Sequence, residues 1–437
     1  MTVRVVEVIE RKRDGGRLTA AEIDRVVVGH SRGEVPDYQM AAFLMAVLLR
    51  GMVDEETVLL TDSMVASGQR LDLSRFGRVV DKHSTGGIGD KVTLVVAPLV
   101  AACGAPVAKM SGRGLGITGG TLDKLESFRG YRVDLTTAEF LAQLERIGVV
   151  VTGQTADLAP ADGAMYALRD VTGTVPSIPL IASSIMSKKI ASGAHGLVLD
   201  VKVGRGAFMK TLARARELAR LMVAIGKARK MDVTAELTAM DAPLGGAVGN
   251  ALEVMEAIAT LAGGGPEDLR EVVLSAGAEM LLYARRARTR AAARAMLVRA
   301  IADGSGLRKL EELVAAQGGD ARAVADPSRL ARAKTVTTLT SGRIAYVARL
   351  DAHDIGLASV RLGAGREKKG DPIDHATGIV LRAKPGDRVA KGEPYAEVHA
   401  SGRSGDAEAI RMVERAFTWR ATRGARPRLV LGRIASG

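Results

Sequence analysis

A single cysteine, Cys103, stands in a chain of 437 residues. No internal disulfide framework is available to it, and one lone thiol fits a reducing compartment. Aromatic residues make up only 3% of the sequence, with one tryptophan. The core must therefore be built from Ala, Val, Leu, Ile and Met. The interleaving of rings and basic residues that stacks single-stranded nucleic acid is missing. No apolar run approaches the ~20 residues that cross a bilayer. The opening stretch MTVRVVEVIERKRDGG lacks the apolar segment of a secretory signal. These absences predict a cytoplasmic protein without a membrane partner.

What is present is ordinary globular material, 47% hydrophobic and 25% charged, long enough for two or three domains. The formal net charge of +13 raises the question of nucleic acid. Much of the excess sits in 285–300, RRARTRAAARAMLVRA, and in 420–428, RATRGARPR. The first reads as the solvated face of an Ala-rich helix. A moderately basic surface also attracts phosphorylated small molecules, so a basic nucleic-acid-binding protein is the weaker reading.

Residues 17–68 read as three short helices. The first opens with Thr19 and Glu22 at capping-box spacing. Near residue 79 the texture changes. VVDKHSTGG is an apolar run feeding a glycine turn, KVTLVVAPLVAACG a buried helix, and APVAKMSGRG a strand feeding a second glycine turn. TTAEFLAQLERIGVVVTG reads as helix then strand. Residues 161–195 return to helix, and GLVLDVKVGRGAFM and the long helix after it resume the alternation. Such alternation predicts an α/β fold around a mostly parallel central sheet, with ligands beyond the carboxyl ends of the strands. The predicted organisation is a small discontinuous helical domain (1–66 and 162–194), a large mixed α/β domain (75–153 and 197–330), and a C-terminal α+β, hammerhead-like subdomain (340–437). The crossings near 66–80, 152–162 and 192–198 are hinge candidates.

Two glycine stretches carry the chemistry: DKHSTGGIGDK (81–91) and KMSGRGLGITGGTLDKLE (109–126). Glycine lets the backbone approach a ligand closely, and hydroxyls, ammonium groups and free N–H groups receive an anion. Lys82, Ser84, Thr93, Lys109, Ser111 and Thr121 are the candidate anion ligands. Taken singly, Ser and Thr beside Gly more often serve turns and caps. Two such clusters at the ends of neighbouring strands are harder to dismiss. The first also opens into a helix whose N–H groups would face the anion. Neither stretch has P-loop spacing or a dinucleotide fingerprint. In the second helical stretch, Ser184 and Lys188 are four apart and share one side of a helix. Arg169 lies nearby, with Asp170 able to orient or simply cap. His83, between Lys82 and Ser84, can give a proton or a hydrogen bond to a departing heterocycle.

These residues carry a resemblance. VPDYQMAAFLMAVLLRGM, DKHSTGGIGDK, KMSGRGLGITGGTLDKLES, YALRDVTGTVPSIPLIASSIMSKKIASG, LVLDVKVGRGAFM and MDAPLGGAVGNALEV occur in the order of the thymidine/pyrimidine-nucleoside phosphorylase family, which the chain resembles over nearly its whole length. The resemblance implies reversible phosphorolysis of pyrimidine nucleosides such as uridine, thymidine and deoxyuridine to free base and pentose 1-phosphate, with phosphate as co-substrate and no organic cofactor. It implies phosphate binding by Lys82, Ser84, Thr93, Lys109, Ser111 and Thr121, a place for His83 over the sugar, and base binding by Arg169, Ser184 and Lys188. It implies domain closure and a homodimer built through the helical module.

Two positions depart from the family pattern. Ile117 stands where a histidine often makes a hydrogen bond across the closing cleft, near the position of Gly206. Some members also bind potassium. The matching positions here are Gly89, Leu244, Ala247 and Glu256, but the family's threonine is replaced by Lys91. Either the ion binds or the Lys91 ammonium takes its place and pairs with Glu256, since both are monovalent cations that seek a cage of oxygens. The C-terminal GDRVAKGEPYAEV is similar to a biotinyl or lipoyl carrier. The modified lysine of carriers usually follows Met, whereas Lys391 follows Ala390, so no attached cofactor is expected. The rival enzyme reading is a phosphoribosyltransferase of the anthranilate type. It would need an acidic metal cluster, and the sequence offers only Asp200 in VLDVK.

Overall fold

Five strands rich in Val and Leu lie parallel at the centre of the molecule: β1 (Val80–Ser84), β2 (Val107–Ser111), β3 (Val149–Gly153), β4 (Gly196–Val203) and β5 (Asp232–Ala239). Their order is β5-β4-β1-β2-β3, with Val80 opposite both Val107 and Gly196. Every residue of β4 is buried, as expected of a parallel strand covered on both faces. One face carries the apolar helix Val92–Ala102 and the helix Glu267–Tyr283; the other carries Leu212–Ala228. This computed structural model describes residues 3–114, 116–155, 157–366, 368 and 370–435; Leu115 of the second glycine stretch lies outside them.

The helices Val5–Arg13, Ala20–Ser31, Asp37–Arg50 and Asp54–Ala66 pack with Pro160–Thr172 around Val8, Ile23, Val26, Phe43, Leu44, Leu60, Met64 and Met165. The Thr19–Glu22 capping box is formed. Inside this bundle Lys12 meets Glu56 at 2.8 Å, and Glu56 also accepts the amides of Leu18 and Val53. The buried carboxylate is thus fully partnered, as burial of an ion pair requires. The helix Ile178–Ala191 belongs to two cores. Leu180 packs into the bundle, while Ala182, Met186 and Ile190 pack on β4 and β5.

The C-terminal region holds β7 (Thr335–Thr340), β8 (Ala345–Leu350), β9 (Gly378–Leu381), β10 (Arg388–Val389), β11 (Pro394–Ala400) and β12 (Phe417–Arg420), with the helices Ala352–Arg361 and Asp406–Ala416. Lys391 is exposed on the turn between β10 and β11. Two strands cross the boundaries drawn from sequence. β6 (Ala247–Gly249) pairs with β9 and so joins a small sheet β6-β9-β11-β7. The last strand, β13 (Val430–Ala435), returns to the large sheet and pairs antiparallel with β5. The reason is the edge. Without β13 the backbone of β5 would be unpaired on one side, and Leu431 and Ile434 add to the apolar layer there.

Candidate active site

Beyond the carboxyl ends of β1 and β2 lies a cavity of about 330 Å³. One wall is built from the glycine stretches and presents Ser84, Thr93, Lys109, Ser111 and Thr121; the other presents Tyr166, Arg169, Ser184 and Lys188. His83, Lys189 and Phe208 also face it. The strands explain this placement. Side chains alternate along β1, so Asp81 and His83 leave one face while Lys82 and Ser84 leave the other. Thr93 sits in the first turn of the helix that follows, where backbone N–H groups are unpaired within the helix.

Lys82 is not placed as the other candidates are. It is absent from the cavity wall. Its ammonium is buried one layer behind, 3.1 Å from Asp200 and 3.8 Å from Asp90. On a strand of a covered sheet the stem of Lys82 points into protein, and two carboxylates compensate its charge there. Lys202 of β4 shares both partners, at 2.7 Å from Asp200 and 3.9 Å from Asp90. Asp90 in turn accepts the Ser84 hydroxyl and the Val92 amide. Burial works against the Asp90 carboxylate, yet Lys202, Lys82 and the Ser84 hydroxyl hold its pKa far below the usual range.

On the other face of β1, Asp81 accepts from Lys189 at 2.6 Å, and Lys109 stands 3.9 Å from its second oxygen. Burial, reinforced by Lys189, pushes the Lys109 pKa well below that of a free lysine despite Asp81. Burial and then Lys189, Lys109, Lys188 and Lys82 push the His83 pKa well below its usual value. The imidazole is therefore neutral at neutral pH: one ring nitrogen donates and the other accepts.

On the facing wall, Arg169 donates to the carbonyls of Leu180 at 3.0 Å and Val175 at 2.8 Å and lies over the Tyr166 ring at 5.5 Å. Lys188 donates to Ser184 Oγ at 3.0 Å and also to Asp162. The carboxylate that organises this wall is thus Asp162. Asp170, the neighbour singled out from sequence, is exposed. Asp162, Tyr166 and Arg169 fall at i, i+4 and i+7 of one helix, a spacing that the sequence displayed. Lys189, Asp81, Asp90 and Lys202 were also passed over in the sequence reading. Asp81 could have been found from strand alternation. Asp90 lies within the first glycine stretch and bonds to its neighbours Ser84 and Val92, whereas Lys189 and Lys202 are brought in by packing between distant strands and helices.

Ile117 is half-buried against the helix Ala352–Arg361, where a side chain at Gly356 would stand 3.3 Å from its Cβ. Gly206 donates its amide to Met240 instead. The contact at Ile117 is therefore apolar packing with the C-terminal region. Gly89, Lys91, Leu244, Ala247 and Glu256 converge at the foot of the first glycine stretch.

Residues 77–307 match the α/β domain of a glycosyl transferase family, 6–68 its helical bundle domain, and 346–420 a pyrimidine nucleoside phosphorylase C-terminal domain. The chain is 53% identical over 400 residues to a pyrimidine-nucleoside phosphorylase of Geobacillus stearothermophilus, covering 91% of this chain and 92% of that one. It is 51% identical, at the same coverage, to a protein of that name from Staphylococcus aureus. Among solved structures, an anthranilate phosphoribosyltransferase from Thermus thermophilus superposes with a TM-score of 0.58 at 20% identity, covering 71% of this chain and 99% of that one. At that identity the likeness is one of fold.

Proposed function

This chain belongs to the pyrimidine-nucleoside phosphorylase family, and we infer that it catalyses the reversible phosphorolysis of pyrimidine nucleosides to free base and pentose 1-phosphate. One observation carries the reading: an anion-binding wall of hydroxyls and an ammonium faces, within a single cavity, a wall bearing Arg169, Ser184 and Lys188. Phosphate held by Ser84, Thr93, Lys109, Ser111 and Thr121 would lie beside C1′, both as nucleophile and as the anion that steadies an oxocarbenium-like sugar. Lys82 would act from behind, through Asp90 and Ser84. The lysines clustered around Lys109 and His83 make the wall receptive to a dianion.

As the glycosidic bond breaks, negative charge grows on the base. Arg169, Ser184 and Lys188 supply donors for its carbonyls and N3. His83, its pKa lowered by burial and the surrounding lysines, would donate a hydrogen bond. Closure would bring the two walls together and exclude water. The segments available to bend are those where Gln69 bonds Asp157 and Leu71 bonds Ala191 across the module boundary. Uridine, thymidine and deoxyuridine are the proposed substrates.

Assembly as a homodimer is proposed through the helix Asp37–Arg50. Tyr38, Met45 and Leu49 are exposed at 75%, 37% and 73% and repeat at i, i+7 and i+11, an apolar stripe of the kind that a partner covers. Among the described residues no helix is long and apolar enough to cross a membrane, and a cytoplasmic location is proposed.

The phosphoribosyltransferase reading is less supported. The shared fold does not distinguish it, and among the described residues no group of three or more His, Cys, Asp or Glu is placed to hold a metal. The deciding experiment is incubation with uridine, thymidine or deoxyuridine, with and without phosphate, following free base. Base release that requires phosphate is expected. No release, with turnover of a phosphoribosyl diphosphate instead, overturns the reading.

A further inference from the structure

Lys91 closes the first glycine stretch immediately before the helix Val92–Ala102, and its side chain is 0% exposed. Its ammonium donates to the carbonyls of Leu244 at 3.1 Å and Ala247 at 2.9 Å and to Glu256 Oε2 at 2.5 Å. An ammonium has three donors and no acceptor, so all three are used. The other oxygen of Glu256 accepts the amides of Gly246 at 2.9 Å and Ala247 at 3.0 Å. The Gly89 carbonyl is taken by the Lys91 amide at 3.0 Å.

The cage is also tight. Both Gly89 and Gly245 have φ of +71°. A Cβ on Gly89 would lie 2.5 Å from the Leu244 oxygen, and one on Gly245 would lie 2.2 Å from Glu256 Oε2 and 2.8 Å from the Lys91 nitrogen. A potassium ion, implied here by the resemblance, does not fit these residues. Its oxygens are already bound to a cation of the same charge.

The same loop is gripped from outside. Lys384 of the C-terminal region donates to the carbonyls of Pro243 and Gly245, the latter at 2.7 Å, and stands 3.1 Å from Asp268. Two lysines and two carboxylates thus pin 243–247 with no net charge left over. Lys91 is flanked by Asp90, which receives the Ser84 hydroxyl, and lies two residues before Thr93 on the cavity wall. Whatever fixes Lys91 fixes the ends of the anion wall.

We propose that Lys91 is a built-in monovalent cation: its ammonium joins the first glycine stretch to residues 244–247 and makes positioning of the phosphate-binding wall independent of any dissociable metal ion. Lys91 is a positioning residue, and its effect on turnover rests on the phosphorolysis reading above.

The test compares the full-length protein in potassium, sodium and choline chloride at equal ionic strength, reading kcat, KM for phosphate and Tm. The wild type is expected to be the same in all three salts. Lys91→Thr opens the cage. In choline it is expected to lose Tm and to raise KM for phosphate by about 10- to 100-fold, the scale of a misplaced binding group. Potassium, but not choline, then restores part of both. The proposal is overturned if the wild type needs potassium for activity or gains Tm from it over choline. It is also overturned if Lys91→Thr matches the wild type in choline. Should that variant not fold, the wild-type salt series decides alone. Absence of nucleoside cleavage in every salt would defeat the phosphorolysis reading, while the Tm series would still judge the cage.

Discussion

Lys189 and Lys109 converge on the same two acceptors. Both donate to the Met110 carbonyl, at 2.9 Å and 3.3 Å, and they approach opposite oxygens of Asp81, at 2.6 Å and 3.9 Å. Two buried ammonium groups thus share one carboxylate at the edge of the cavity. Charge of this kind is tolerable when an anion is the expected visitor, and it leads to the first prediction.

Inorganic phosphate should stabilise the protein, by about 2.7 kcal/mol at one hundred times its dissociation constant. Lys109→Met should lose most of this gain. In phosphate-free buffer it should be at least as stable as the wild type, because its folded pKa lies below the unfolded one. For a lysine shifted that way, the folded state disfavours the charged form at every pH below the unfolded pKa, so the charge costs stability at neutral pH. Thermal melts with and without phosphate decide this. A full phosphate-induced shift in Lys109→Met would remove Lys109 from the anion wall.

Lys189→Met leaves Asp81 buried without its nearest cation. A loss of about 3–5 kcal/mol is expected, the cost of breaking a buried pair from one side. Asp81→Asn added to Lys189→Met should recover a good part of that loss. Urea unfolding of the two single variants and the double variant measures the coupling, and additive losses would speak against a shared pair.

Lys188→Ala should lower kcat/KM for phosphorolysis by roughly 30- to 1000-fold, corresponding to about 2–4 kcal/mol of transition-state stabilisation. Its secondary structure should be retained. Asp162→Asn should act in the same direction but less strongly, since it leaves the ammonium in place and only loosens its hold. Steady-state kinetics beside circular dichroism separate the two effects, and near-normal turnover in Lys188→Ala would unseat its role.

The histidine prediction concerns pH. The folded pKa of His83 lies below its unfolded value, so the unfolded chain binds the proton more readily. The contribution to stability is then complete above about pH 6.5, the unfolded pKa, and is lost as pH falls below it. The kcat/KM, which reports the free protein, should show no loss attributable to deprotonation of His83 near pH 7, because burial and the neighbouring lysines hold its pKa well below the usual value. Nuclear magnetic resonance titration of the imidazole checks this. A His83 pKa above 7 in the free protein would contradict it.

Much of the site was legible before any coordinates. Ser84, Thr93, Lys109, Ser111 and Thr121 could be read from hydroxyls and lysines beside glycine, and Ser184 and Lys188 from helical spacing; all of them face one cavity. Local rules suffice there because strand ends, helix starts and i, i+4 neighbours are set by nearby residues. Lys82 read the same way and is placed differently: it leaves β1 by the same face as Ser84 but two residues back from the strand's end, where Asp200 and Asp90 meet it behind the cavity.

The sequence by itself determined the alternation of strand and helix, the two glycine turns, and the types of group available for an anion and a heterocycle. Those follow from backbone preferences and side-chain chemistry, which act over a few residues. Only the tertiary structure decided how the charges pair. Lys91 with Glu256, Lys82 with Asp200, Lys189 with Asp81 and β13 along β5 each join segments distant in the chain. The energy of a buried ion, or of an open sheet edge, depends on which distant group arrives to meet it.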